Sequence, residues 1–388
     1  MNEINYTYNL KLKVLTPLFI GAGKEKDWVK GFDFIIFNGS LYVFNQEKLF
    51  NFLSKENLLE KYTDIISQNN TNTIEGFFRE NFDDQELENI SEVIYDDCAN
   101  ISSEIKSFIR DGMGRAFIPG SSIKGAIRNV LFNYVYSNHQ QDIVMLSNRD
   151  QRRYINVALG DFYKSIMRFI KPYDIYGIDD YLTISNVELY NVKHPDNNIK
   201  SENKEIGITI ECIYPFDDII EFDFTIKIAE PFLKIIRSKY NDNRSIPKYK
   251  DDVFKNSRSE TIRHLFKVIN EYTCKHIQKE IKFFEEYTHS KGIHNNTISQ
   301  LKYLQNKTVN NNRSCILRMS YGSGFHGITG DWQFDEHSID EIGRDNRGKS
   351  VAYFNNKKTA KSRRIIDNKY LLGFVELILP DDVCKKNP

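Results

Sequence analysis

The sequence predicts an α+β fold, organised as two ferredoxin-like units with helical insertions. Three observations carry that prediction. Residues 8–15 and 221–228 alternate strictly between apolar and polar, the period of a half-buried strand. Residues 123–135 and 262–272 instead space their apolar side chains three and four apart, the period of a helix with one buried face. Strands and helices then recur without the regular strand–helix alternation of a doubly wound sheet, which favours segregated antiparallel layers.

In chain order, Tyr8, Leu10, Leu12 and Val14 face one side of the first strand, and Asn9, Lys11 and Lys13 the other, until Thr16-Pro17 ends it. Phe32–Phe37 and Leu41–Phe44 flank Asn38-Gly39, the residues of a tight hairpin turn. Helical patterns follow over 46–66 and 73–110. A further helix is expected from Ser122 to Asn138, where Ile123, Ile127, Val130, Leu131, Tyr134 and Val135 form its stripe, and another over 150–170. Strands at 181–192 and 206–213 are expected to pair across a polar loop at 194–204. Glu221–Ile228 adds a strand, 238–252 an exposed loop, 259–289 the longest helix, and 314–320 and 370–379 the closing strands. The softest stretch lies at 172–180, so the expected domains are residues 1–175 and 176–388.

At 388 residues the chain can bury a substantial core, and its 53 cations balance its 53 carboxylates. Zero net charge removes any bulk attraction to polyanions, but the charge is unevenly spread. Ten carboxylates against Arg79 fall between Glu75 and Glu104, and eight cations against Asp345 fall between Arg344 and Arg364. The five cysteines are scattered, with no CxxC pair, which suits a reducing cytoplasm and argues against a disulfide framework or a cysteine zinc site. The N-terminus lacks the pattern of a signal peptide, and no apolar run is long enough to span a membrane, so a cytoplasmic location is expected.

Three glycine-bearing loops are the candidate binding elements. The first, after the opening strand, is Ile20-Gly21-Ala22-Gly23-Lys24. The second is Ile118-Pro119-Gly120-Ser121-Ser122-Ile123-Lys124-Gly125-Ala126-Ile127-Arg128, a turn leading into a helix. Ser121 or Ser122 suits its N-cap, and Lys124 and Arg128, four apart, share a face. Backbone N–H groups at such a helix start favour a phosphate, although the same residues also suit a capped core helix with two solvated cations. The third loop, Tyr321-Gly322-Ser323-Gly324-Phe325-His326-Gly327, follows the strand at 314–320. Neither Gly-x-Gly loop carries a dinucleotide fingerprint. Together they point to an extended polyanion. Arg318, His326 and the tract Lys358, Lys361, Arg363 and Arg364 would extend the cationic track, and Phe325 would stack on an unpaired base.

Catalytic signatures are sparse. The histidines form no HExxH motif, and His289 with His294 makes only a weak zinc pattern. Asp27 and Asp33 follow the first glycine loop and suit RNA cleavage, but Asp33 also reads as the solvated face of a strand. No metal site, cofactor or catalytic residue is expected.

Leu15-Thr16-Pro17-Leu18-Phe19-Ile20-Gly21-Ala22-Gly23, the Pro119–Arg128 block, the Gly322–Phe325 loop and the closing Leu372-Gly373-Phe374-Val375 together resemble the RAMP superfamily of CRISPR proteins. Their order and spacing are most similar to the type III-A (Csm) effector subunit that caps the 3′ end of the CRISPR RNA. The resemblance implies RRM-like units and a ligand that is the 3′ region of the crRNA, held along its backbone. It also implies partners in the repeated backbone RAMP subunit and the small helical subunit, a requirement in 3′ maturation with trimming by host nucleases, and no membrane. The expected function is therefore non-catalytic RNA binding. The alternative is a metal-independent endoribonuclease of the same superfamily acting on precursor crRNA, with His326 and Lys24 or Lys124 as its acid–base pair.

Overall fold

The computed structural model describes residues 6–380 except 69, 97, 99–100, 150–152, 162–164, 192–204, 217–218, 230–247, 256, 288–293, 310–312 and 324–361. Strand β1 (Tyr6–Val14) opens the chain, with its alternating face buried as expected. After β2 (Trp28–Val29) come β3 (Phe34–Phe37) and β4 (Ser40–Phe44), joined by Asn38 and Gly39, both at positive φ (50° and 89°). That is the geometry in which an Asn-Gly turn matches strand twist.

The expected helix over 46–66 is two, α1 (Gln46–Lys55) and α2 (Leu59–Ser67), interrupted where Asn57 turns to φ 57°. The pattern over 73–110 is not one helix either. It divides into α3 (Thr71–Asn81), α4 (Asp84–Ile90), β5 (Ser91–Tyr95) and β6 (Glu104–Lys106). Asp83 and Glu86 form a reciprocal capping box that restarts the helix, and Val93 and Ile94 then favour the strand. Helix α5 (Gly120–Leu146) is longer than expected and kinks at His139, whose Nε2 lies 2.7 Å from Asp252. Among the described residues, α6 (Tyr154–Leu159) and a 3₁₀ turn (Ile166–Phe169) represent the helix expected over 150–170, before β7 (Ile170–Pro172).

Strands β8 (Leu182–Asn191) and β9 (Glu205–Ile213) pair antiparallel as expected, and β10 (Glu221–Ile228) keeps its alternation. Then follow α7 (Lys250–Val253), α8 (Arg258–Tyr287) and α9 (Asn295–Thr308). The closing strands are β11 (Ser314–Arg318), β12 (Ser362–Ile366), β13 (Tyr370–Leu371) and β14 (Phe374–Ile378).

A five-stranded antiparallel sheet runs β11-β14-β1-β10-β7, a six-stranded one β13-β12-β8-β9-β6-β2, and a small one β3-β4-β5. Both larger sheets draw strands from either side of residue 175, and β1 is flanked by β10 and β14. The main core joins the buried face of β1 and β10 to the stripe of α5. A satellite core under α1–α4 packs on the small sheet, and a third unites α8, α9, β11 and β12. Among the described residues no helix is long and apolar enough to cross a membrane.

Candidate nucleic-acid interface

The three glycine loops meet. A cleft of about 590 Å³ is lined by Gly21, Gly23 and Lys24 from the first, by Ser122, Gly125 and Arg128 from the second, and by Ser320, Tyr321 and Ser323 from the third. Each wall has its own anchorage.

The first loop is fixed from below. Gly21 bridges Phe108, and Ile109 N–H donates to the Ile20 carbonyl at 2.8 Å. The segment behind it is locked in turn by Glu211, a fully buried carboxylate that accepts from Phe108 N–H and from Arg110, both at 2.7 Å. Lys24 stands exposed on a 3₁₀ turn (Lys24–Lys26) that Gly23 enters at φ 105°. Asp27, at the rim, is paired with Lys106 at 2.9 Å. Asp33 sits in the turn before β3 rather than within a strand; it accepts Val29 N–H at 2.8 Å, and burial raises its carboxyl pKa.

The second wall departs from expectation at the helix start. Pro119 is the N-cap, and neither Ser121 nor Ser122 caps the helix with its side chain. Gly120 N–H donates to Asp174 Oδ1 at 2.7 Å, and the N–H groups of Ser122 and Ile123 turn back to the Pro119 carbonyl. Gly120 is a packing glycine: a Cβ there would lie 2.4 Å from the Pro172 carbonyl oxygen. The N–H groups of Gly120, Ser122 and Ile123 are thus already engaged, and the wall faces the cleft through side chains. Arg128 is exposed at the cleft, whereas Lys124 is set aside from it, where burial and the nearby Lys171 charge lower its pKa.

Sequence reasoning passed over Gly125. A Cβ added there would meet nothing within 4 Å, so the fold itself sets no demand for a glycine inside this helix. Such a residue costs helix stability of roughly 1 kcal/mol relative to alanine. Its place in the cleft wall allows a ligand to approach the helix backbone closely. A glycine interrupting an otherwise helical stripe is the signal that could have singled it out.

The third wall corrects the expected phosphate contact at Arg363, and it places Arg318 in the cleft lining with its guanidinium already engaged by the protein. Arg318 is buried, and its guanidinium donates to the carbonyls of Leu372 (3.2 Å) and Gly322 (2.9 Å) and lies 2.8 Å from His276 Nε2. Burial pulls its pKa down to about 10, opposed by Glu280. Arg363 belongs to strand β12, is 8% exposed, pairs with Glu280 and covers the ring of Phe283. Burial pushes the Glu280 carboxyl up, but Arg363, Arg318 and His276 outweigh it and hold the group at about 2. Arg363 is turned inward by the strand period of β12, and Arg318 ends β11, which is buried on both faces. Gly322, at φ 82°, packs against Leu372 behind the wall. Arg364 turns the other way and lies 4.5 Å over the ring of Tyr321. Gly324, Phe325, His326, Lys358 and Lys361 lie outside the described residues.

Among the described residues, three buried polar atoms in or directly behind this wall have no hydrogen-bond partner: Ser320 Oγ, Tyr321 Oη and Arg364 Nε. Unsatisfied groups of this kind cost about 1–3 kcal/mol each and are the ones a bound polar ligand relieves. With Lys24 and Arg128 at the mouth, the cleft suits a strand carrying phosphates and hydroxyls.

The chain is similar to known proteins in sequence and in fold. A family model described as the RAMP superfamily matches residues 11–334. The chain is 27% identical over 237 residues to a protein of Streptococcus thermophilus described as CRISPR system Cms protein Csm5, covering 56% of this chain and 64% of that relative's length. A protein of the same description from Methanocaldococcus jannaschii is 24% identical over 386 residues, covering 94% of this chain and 83% of the relative. In fold, the chain is similar to one in the cryo-electron-microscopy structure of a Csm–crRNA–target RNA ternary complex of a type III-A CRISPR-Cas system. The TM-score is 0.66 at 20% identity, covering 96% of this chain and all of the other. It is also similar to the crystal structure of T. onnurineus Csm5, with a TM-score of 0.62 at 18% identity, covering 94% and 99%.

Proposed function

The chain belongs to the RAMP superfamily, and from that premise we propose that it is a non-catalytic RNA-binding subunit of a type III-A CRISPR ribonucleoprotein. It binds and caps the 3′ region of the crRNA and is required for 3′ maturation. The observation that carries this reading is the convergence of three sequence-distant loops on one cleft with Lys24 and Arg128 at its mouth and unpartnered polar atoms in its wall. The likeness to proteins described as Csm5 and to a chain of a Csm–crRNA–target RNA complex supports the assembly and its RNA. In that assembly the partners are the repeated backbone RAMP subunit and the small helical subunit, with host nucleases trimming the RNA end. We read β14-β1-β10-β7 as one ferredoxin-like unit, since that strand order is fourth, first, third, second.

Backbone gripping predicts binding that is tolerant of sequence and steeply dependent on salt. The test is crRNA length in cells lacking the protein and in the same cells supplied with wild type or with Lys24→Ala/Arg128→Ala. Untrimmed crRNA in the deletion, uncorrected by the double variant, supports the capping role. Mature crRNA of normal length in the deletion overturns it. Discrete cuts by the purified protein in labelled precursor RNA would replace it with the endoribonuclease reading.

A further inference from the structure

Beside the cleft, on the other flank of α5, a second group of cations gathers at the sheet edge. Gly120 seats the first turn of α5 directly on the end of β7, the edge strand of the five-stranded sheet. One turn further along the helix, Lys124 stands over this edge, within electrostatic reach of Lys171. Lys227 of β10 lies opposite Lys171 in the ladder, and its ammonium sits 4.9 Å from the centre of the Tyr173 ring. Tyr173 is 47% exposed.

Of the carboxylates around this patch, Asp174 accepts the Gly120 N–H, Asp223 lies four residues along β10 from Lys227 and opposite Lys11, and Glu221, at the far end of β10, pairs with Lys11 and Lys13. Among the described residues, none of Lys124, Lys171 and Lys227 enters an ion pair. Three ammoniums held together without a counter-charge repel one another, and a bound phosphate removes that cost. A cation over one side of a tyrosine whose ring is half exposed is also the arrangement that receives a base and its phosphate together.

We propose that Lys124, Lys171 and Lys227, with Tyr173, form a second station for single-stranded RNA outside the cleft, the lysines holding phosphate and the tyrosine stacking a base. The proposal rests on the RNA-binding reading above and gives it a direction. The strand leaves the cleft over the first turns of α5 and crosses the edge at β7.

The experiment uses the full chain and a single-stranded RNA of about 20 nucleotides, measuring affinity across salt concentrations and the protected length by nuclease footprinting. The variants are Lys171→Ala/Lys227→Ala and Tyr173→Leu, with Lys24→Ala/Arg128→Ala as the cleft control. Loss of two phosphate contacts reduces the steepness of the log–log salt dependence by about 1.4. Loss of one stacked base weakens binding about 5- to 150-fold. In both patch variants the footprint shortens from one end only. An unchanged slope and footprint in the patch variants, with affinity lost in the cleft control, overturns the station and leaves the cleft reading standing. If wild type binds no RNA, the functional reading falls and the station with it. Loss of binding to an acidic peptide, with RNA unaffected, would assign the patch to a protein partner and also overturn the proposal.

Discussion

Asp174 accepts the N–H of Gly120 at 2.7 Å across a separation of 54 residues, so the helix that walls the cleft is capped from a different part of the chain. The two residues fix each other. The cap requires the helix start to lie against the end of β7, and that approach leaves no room for a side chain at Gly120. Asp174→Ala is expected to cost about 1 kcal/mol, as for loss of an N-cap. Gly120→Ala should cost more, about 1–3 kcal/mol, because its Cβ meets backbone that cannot rotate aside. Chemical denaturation of both variants checks the order.

Gly125 should behave in the opposite sense. Gly125→Ala fills open space, so thermal denaturation is expected to show a gain of about 0.5–1 kcal/mol. The same change narrows the cleft, and Gly125→Gln narrows it further, so RNA affinity should fall in that order while stability holds. A stabilised variant that binds RNA as wild type would show that the strand does not approach the helix here.

The cleft cations set the salt dependence. Removing Lys24 and Arg128 together should reduce the log–log slope by about 1.4, uniformly across RNA sequences. Filter binding at four or five salt concentrations, with two unrelated sequences, is sufficient to read it.

Glu280 links stability to acid. Its folded pKa, about 2, lies below its ordinary 4.5, so its contribution is fully present above pH 4.5 and is lost as pH falls towards 2. Glu280→Gln leaves Arg363 and Arg318 without their buried counter-charge and should cost about 3–5 kcal/mol at neutral pH. The variant's stability should then depend less on pH between 4.5 and 2 than that of wild type, which denaturation at fixed pH values can measure.

The sequence made some of this architecture readable and concealed the rest for physical reasons. Strand β10 was visible because one of its faces is buried and the other wet, which writes an alternation into eight residues. The Asn38-Gly39 hairpin was visible because only such residues adopt its turn cheaply. The gathering of Gly21, Gly23, Lys24, Ser122 and Arg128 followed from treating the loops as parts of one site, although nothing local required them to meet. Arg363 misled because a buried arginine and a solvated one are the same letter. What decides between them is Glu280, which lies 83 residues from Arg363 in the chain. The helix expected over 73–110 failed because apolar spacing continues through the Asp83–Glu86 capping box, where the backbone stops and restarts.

The bases of two cleft loops are stitched by main-chain bonds. Tyr321 N–H donates to Phe19, Met319 N–H to Gly373, and Gly373 N–H to Pro17. Gly373 sits at φ 89°, with the Met319 carbonyl where a Cβ would otherwise stand, and it joins a strand of one large sheet to a strand of the other. These two rims therefore have their spacing set during folding rather than at encounter. The entropy given up on association then falls mainly on the nucleic acid, and a more flexible sequence should bind more weakly than a stiffly stacked one of equal charge.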